Sequence, residues 1–170
     1  MSKVSPVLKV DVHDEKPDIG LDQKYLKEIS AALSDILAAT YRLTIKSHIY
    51  HWNVVGPLFK PLHELTEEHY NALFAANDII AERIRALGHT APVRLGDAAA
   101  FAPKVAEVKN TTVIDMIEDL IADHRDAVKD MRAAAETAGE AGDVVTEDML
   151  TARLDFHEKA LWMLRAIAAG

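Results

Sequence analysis

Apolar residues recur at three-and-four spacing in four stretches of the chain, and glycines and prolines interrupt the pattern between them. Leu26, Ile29, Leu33, Ile36 and Leu43 form the first stripe; with Asp22 as N-cap, they predict a helix running to about Trp52. Gly56 and Pro57 break it, and Pro61 falls where a first helical turn tolerates proline, so a second helix is expected from near Phe59 to about Leu87. Gly88, Pro92, Gly96 and Pro103 then mark a connection of roughly twenty residues, long enough to cross a bundle from end to end. A short helix is expected within it, around Asp97 to Phe101. Thr112 with Asp115 reads as a capping box opening a third helix, whose buried stripe is Val113, Ile117, Leu120, Val128 and Met131 and which ends before Gly139. A fourth starts near Thr146 and carries Leu150, Leu154, Leu161 and Leu164 on one face. The expected fold is all-α: a four-helix bundle with a long crossover between helices two and three. Residues 1–20 show no periodicity and mix Lys3, Lys9 and Lys16 with acids and two prolines, which predicts a mobile arm ahead of a single domain over residues 21–170.

Composition narrows the chemistry. The chain has 170 residues, 49% hydrophobic and only 6% aromatic, enough apolar material for one core. It has no Cys, which removes disulfides, thiol catalysis and iron–sulfur ligation together, so any metal chemistry must use His and carboxylates. A formal net charge of −8 points to cations rather than phosphate backbones as guests of the folded body. No apolar run approaches the roughly 20 residues needed to span a bilayer, and no basic-then-apolar leader opens the chain, so a cytoplasmic protein is expected.

The candidate chemistry lies in residues 46–83, which hold four of the eight histidines. On the second predicted helix His63 and Glu67 are an i, i+4 pair, as are Asp78 and Glu82, so each pair occupies one face. Taken alone, such a pair is more often a solvated face than a ligand set. About three turns separate the two pairs, roughly 16 Å along the axis, which no single metal bridges. The pairs do share a midpoint, between residues 72 and 73. A two-fold axis there would set His63 opposite the partner's Glu82 and Glu67 opposite the partner's Asp78, giving two equivalent sites per dimer. His51, at the end of the first helix, reaches the same region in a helical hairpin. Two histidines and three carboxylates suit iron, with positions left open for an oxidant. Of the rest, His48 and His69 read as polar positions on a crowded face, His124 and His157 as packed, hydrogen-bonded core or interface histidines, and Trp52 as core packing with a supporting role beside His51 left open. Asp143, Glu147 and Asp148 read most simply as an acidic helix start favourable to the dipole.

His51-Trp52, Gly56, Phe59, Leu62-His63, Glu67, Asp78 and Glu82-Arg83 together match H-W-x-x-x-G-x-x-F-x-x-L-H-x-x-x-[DE] followed by D-x-x-x-E-R, a pattern that resembles the iron-site signature of the Dps family of mini-ferritins. Residues 143–165 and the helix layout throughout add to the likeness. The resemblance implies a ferritin-like bundle and a ferroxidase site built from His51, His63 and Glu67 of one subunit with Asp78 and Glu82 of its two-fold mate. Glu67 stands where the family usually has Asp. The resemblance further implies a hollow dodecamer, Fe(II) entering through acidic three-fold pores, oxidation preferably by hydrogen peroxide, and a stored ferric mineral. Asp143 and Asp148 are similar to the family's pore carboxylates. The alternative of a di-iron centre inside one bundle lacks its ligands, because no His here has Glu three residues before it. The alternative of a DNA-compacting protein is disfavoured by charge: residues 1–24 carry four Lys against five acids, and the last ten residues hold only Arg165.

Overall fold

In the computed structural model, which describes residues 12–91 and 112–169, four long helices pack into one bundle: α1 (Gln23–Asn53), α2 (Phe59–Ala86), α3 (Val113–Glu140) and α4 (Val144–Ala168). The expected short helix near Asp97 to Phe101 and the first eleven residues of the expected arm lie outside the described residues. α1 pairs with α2 and α3 with α4, and the two hairpins meet mainly through α1 and α3.

Side-chain chemistry sets the helix starts. Asp22 accepts from the backbone N–H of Lys24 and Tyr25, and Thr112 with Asp115 forms the reciprocal box in full. At the α3–α4 turn the structure departs from expectation. α3 runs through Gly139 to Glu140, and α4 begins two residues before Thr146, at Val144, with Asp143 as its cap. The stop belongs to Gly142, whose φ of +75° only glycine adopts at no steric cost. Gly139 is small for a different reason: a Cβ there would come within 3.0 Å of the Glu147 carboxylate.

The predicted stripes face the core, with Val113 and Leu154 only partly buried against it. Leu26, Ile29, Leu33, Ile36 and Leu43 are buried, as are Ile117, Leu120, Val128, Met131, Leu150, Leu161 and Leu164. The apolar interior forms two clusters, one around Leu33, Ile80 and Met131 and the other around Leu62, Leu73 and Leu120. Polar side chains occupy the middle, where the clusters meet: Asn77 donates to Thr44 Oγ1 at 3.3 Å, and His124 and His157 share a 2.9 Å Nδ1···Nδ1 hydrogen bond. Both histidines are thus the packed, bonded core residues the sequence predicts. Ahead of α1, residues 13–17 lie against the end of α2, where Glu15 N–H donates to the Gly88 carbonyl at 2.7 Å and Thr90 N–H to Asp14 at 2.8 Å.

Candidate metal centre

The Gly56 turn folds α2 back along α1 and brings the end of one against the start of the other. This closes an unusual reciprocal pair. His51 Nδ1 bonds the main-chain carbonyl of His63 at 2.9 Å, and His63 Nδ1 bonds the carbonyl of His51 at 2.8 Å, while the rings stack with centroids 3.7 Å apart. A carbonyl only accepts, so each Nδ1 carries a proton, and in the neutral ring the lone pair is on Nε2. Both imidazoles are therefore fixed in the tautomer that ligates a metal through Nε2, held by the carbonyl contacts that orient metal-binding histidines generally.

Glu67 lies one turn beyond His63 and is exposed; Tyr70 O–H donates to its carboxylate over a long 3.5 Å. Tyr70 is also wedged between histidines, stacked on His48 at 3.9 Å and edge-on to His51 at 5.3 Å. Desolvation first, then the Glu67 charge and its hydrogen bond, push the Tyr70 hydroxyl pKa up. Neither Tyr70 nor the contact of His48 with it was expected from the sequence; the available signals were their helical spacings, three residues from Glu67 and three from His51.

Asp78 and Glu82 stand exposed further along α2, with no hydrogen bond or ion pair to other described residues. The chain thus brings His51, His63 and Glu67 to one end of the hairpin and leaves Asp78 and Glu82 apart. Among the described residues of a single chain, no three histidine or carboxylate side chains gather as a metal site. Large apolar side chains share this outer region. Trp52 is 67% exposed, a correction to its expected core packing, and Phe74, beside the shared midpoint of the two pairs, is also 67% exposed.

Of the two carboxylates considered for a pore, Asp148 is exposed and Asp143 is buried. Asp143 accepts from Thr146 N–H and Oγ–H at 3.0 and 2.6 Å, from Arg83 at 2.6 Å and from Tyr25 O–H at 3.0 Å. Burial pushes its pKa up, but the bonds from Thr146, Arg83 and Tyr25 outweigh it and hold the carboxyl below its ordinary range. Arg83, the last residue of the D-x-x-x-E-R motif, therefore ties α2 to the start of α4.

A four-helix bundle with His and carboxylate pairs on adjoining helix faces is the plan of a ferritin-like protein, and residues 30–169 match the ferritin-like domain. The DNA protection during starvation protein of Porphyromonas gingivalis is 35% identical over 88% of this chain and 94% of its own length. The X-ray structure of Dps from Thermosynechococcus elongatus superposes with a TM-score of 0.79 at 34% identity, covering 87% of this chain and 95% of that one. The Dps of Vibrio cholerae, described as a member of a broad superfamily of ferritin-like diiron-carboxylate proteins, gives 0.76 at 28% identity over 89% of this chain and 95% of its own. The chain belongs to the Dps family.

Proposed function

We propose that this protein oxidises Fe(II), with hydrogen peroxide as the preferred oxidant, and stores the ferric product in a hollow dodecamer in the cytoplasm. The single observation that carries the reading is the reciprocal His51–His63 pair, whose two carbonyl bonds use Nδ1 and leave both Nε2 atoms outside them, one turn from the exposed Glu67. On this reading the exposed face of α2 is the two-fold interface. Phe74 and Ile79 give it apolar contact area, and antiparallel pairing of α2 about its midpoint brings the partner's Asp78 and Glu82 to His51, His63 and Glu67. The reaction balances as two Fe(II) each losing one electron to one peroxide, whose O–O bond breaks to give two hydroxide equivalents. Consuming both reactants together suppresses hydroxyl-radical formation. Residues 21–170 are the iron-handling domain and residues 1–20 its arm. Asp148 is the better placed of the two pore carboxylates, since Asp143 is occupied inside its own subunit.

Complementation tests the site. One variant carries His63→Ala with Glu67→Ala, the other Asp78→Ala with Glu82→Ala, and each alone is expected to assemble without rapid iron oxidation. In a mixed dimer one of the two sites regains every ligand. Random co-assembly pairs unlike chains about half the time and so restores about a quarter of wild-type sites. A shell proven mixed by mass spectrometry, yet as inactive as its parents, refutes the intersubunit reading.

A further inference from the structure

Tyr70 touches two of the three side chains that its own chain brings to the proposed site. Its hydroxyl donates to Glu67 Oε1 at 3.5 Å, one turn back along α2, and its ring meets that of His51 edge-on at 84°, with centroids 5.3 Å apart. The ring is itself held: it stacks on His48 at 3.9 Å, and His48 stacks in turn on Trp52 at 5.4 Å. Tyr70 is half-buried, whereas Glu67 is exposed.

The three side chains differ in what fixes them. His51 and His63 have their Nδ1–carbonyl bonds. The Glu67 carboxylate has no such anchor: among the described residues its sole hydrogen-bond partner is the Tyr70 hydroxyl, and it makes no ion pair. A long exposed carboxylate loses rotamer freedom when it binds a cation, so whatever confines it beforehand strengthens binding. Tyr70 suits that task, because a stacked ring carrying a hydroxyl is rigid where the glutamate is not. At 3.5 Å the contact is long for two oxygens, so it confines the carboxylate loosely and leaves Oε2 outside it.

We propose that Tyr70 is a positioning residue for the intersubunit metal site: it holds the Glu67 carboxylate and the His51 ring in place for an incoming Fe(II) without ligating the ion itself. The inference rests on the intersubunit reading above and deepens it. The consequence is a division of labour across the α1–α2 hairpin. Main-chain carbonyls orient the two imidazoles, and a stack of rings running from Trp52 through His48 to Tyr70 orients the carboxylate. That stack crosses from α1 to α2, so the closed hairpin sets the carboxylate as well as the imidazoles.

Anaerobic titration of the assembled protein with Co(II), read by calorimetry and ligand-field absorption, tests this without turnover. Tyr70→Phe keeps the ring against His48 and His51 and removes only the hydroxyl; in particles of wild-type size it is expected to weaken Co(II) binding by about threefold to tenfold. In a Glu67→Ala background the same change is expected to cost nothing further, because the hydroxyl then has no carboxylate to hold. Tyr70→Leu, which also frees the His51 ring, is expected to weaken binding in both backgrounds and to shift the Co(II) spectrum; if it fails to assemble, the Phe variant carries the test alone. A tyrosine that served only the fold would change the denaturation midpoint and leave the Co(II) affinity alone. Wild-type affinity in Tyr70→Phe, or an equal loss in both backgrounds, overturns the assignment while the Glu67 site stands. If Glu67→Ala by itself binds Co(II) as tightly as wild type, the ligand set is wrong and the role of Tyr70 falls with it.

Discussion

His51 and His63 orient each other, each Nδ1–H donating to the other's main-chain carbonyl at 2.9 and 2.8 Å. The hairpin thereby does two things with one contact: it closes α1 on α2 and it commits each Nδ1 to a carbonyl, leaving Nε2 outside that bond. Asparagine can imitate the Nδ1–H donor but has nothing in place of Nε2. His63→Asn is accordingly expected to keep the helical content and particle size of wild type while Co(II) affinity falls by about tenfold or more. Unchanged affinity in a folded variant would show that His63 is not a ligand.

Arg83 and Asp143 join α2 to α4 at 2.6 Å, with the Asp143 side chain only 2% exposed. Asp143→Ala removes the α4 cap and leaves Arg83 without its partner. A loss of about 3 kcal/mol is expected, between the cost of a missing cap and that of a broken buried pair. Tyr25→Phe, which removes a single bond to the same carboxylate, is expected to cost about 1 kcal/mol. Denaturant midpoints at one fixed protein concentration check both. Equal, negligible losses would mean that the network adds nothing to the fold.

Short-range chemistry made much of this legible from the sequence. The caps at Asp22 and Thr112 act within three residues, and the apolar stripes follow one helical period, so helix identity and most of the core could be read directly. The His63–Glu67 and Asp78–Glu82 pairs were visible for the same reason, being one turn apart on one helix. What escaped depends on how helices lie against one another. Gly139 looked like a stop, but glycine is tolerated inside a helix and the turn was decided by Gly142 and the Asp143 cap. Asp143 looked like a free acid until Arg83 and Tyr25, distant in sequence, were placed against it. Trp52 looked like core because large apolar residues usually are, whereas it is 67% exposed, and nothing in its neighbours' spacing marks that difference.

Weak retardation of linear duplex DNA is expected at physiological salt. The net charge is −8, and the basic residues of the arm are balanced by acids, so few counterions are released on binding. The Asp14 and Glu15 carboxylates face the end of α2, Asp14 accepting from Thr90 N–H and Glu15 lying 3.9 Å from Arg85. A gel-shift titration across salt concentrations is sufficient. Tight binding that weakens steeply with salt and vanishes on removal of residues 1–20 would make the arm a DNA-binding element.

Acid sensitivity is expected from the middle of the bundle. His124 and His157 are 0% and 1% exposed and share one Nδ1···Nδ1 bond, and His124 Nε2 has no hydrogen-bond partner among the described residues. Burial pushes both pKa values down, His157 to about 3 with further repulsion from Arg153 and His69, and His124 with repulsion from His157 and His69. The folded chain therefore keeps both rings neutral, while the unfolded chain protonates them near the ordinary value of about 6.5. Below that pH the unfolded state binds more protons, so folding stability falls as pH falls, by up to about 1.4 kcal/mol per pH unit for each histidine. Ordinary carboxylates titrate mainly below about pH 5, so the window from pH 7 to 5 isolates the histidines from them. Replacing both partners, His124→Leu with His157→Leu, leaves no orphaned ring and is expected to be nearly neutral at pH 7. Its denaturation midpoint should then change much less between pH 7 and 5 than that of wild type, at fixed protein concentration. Parallel pH profiles for the two proteins would show that these buried histidines do not set the acid limit of the fold.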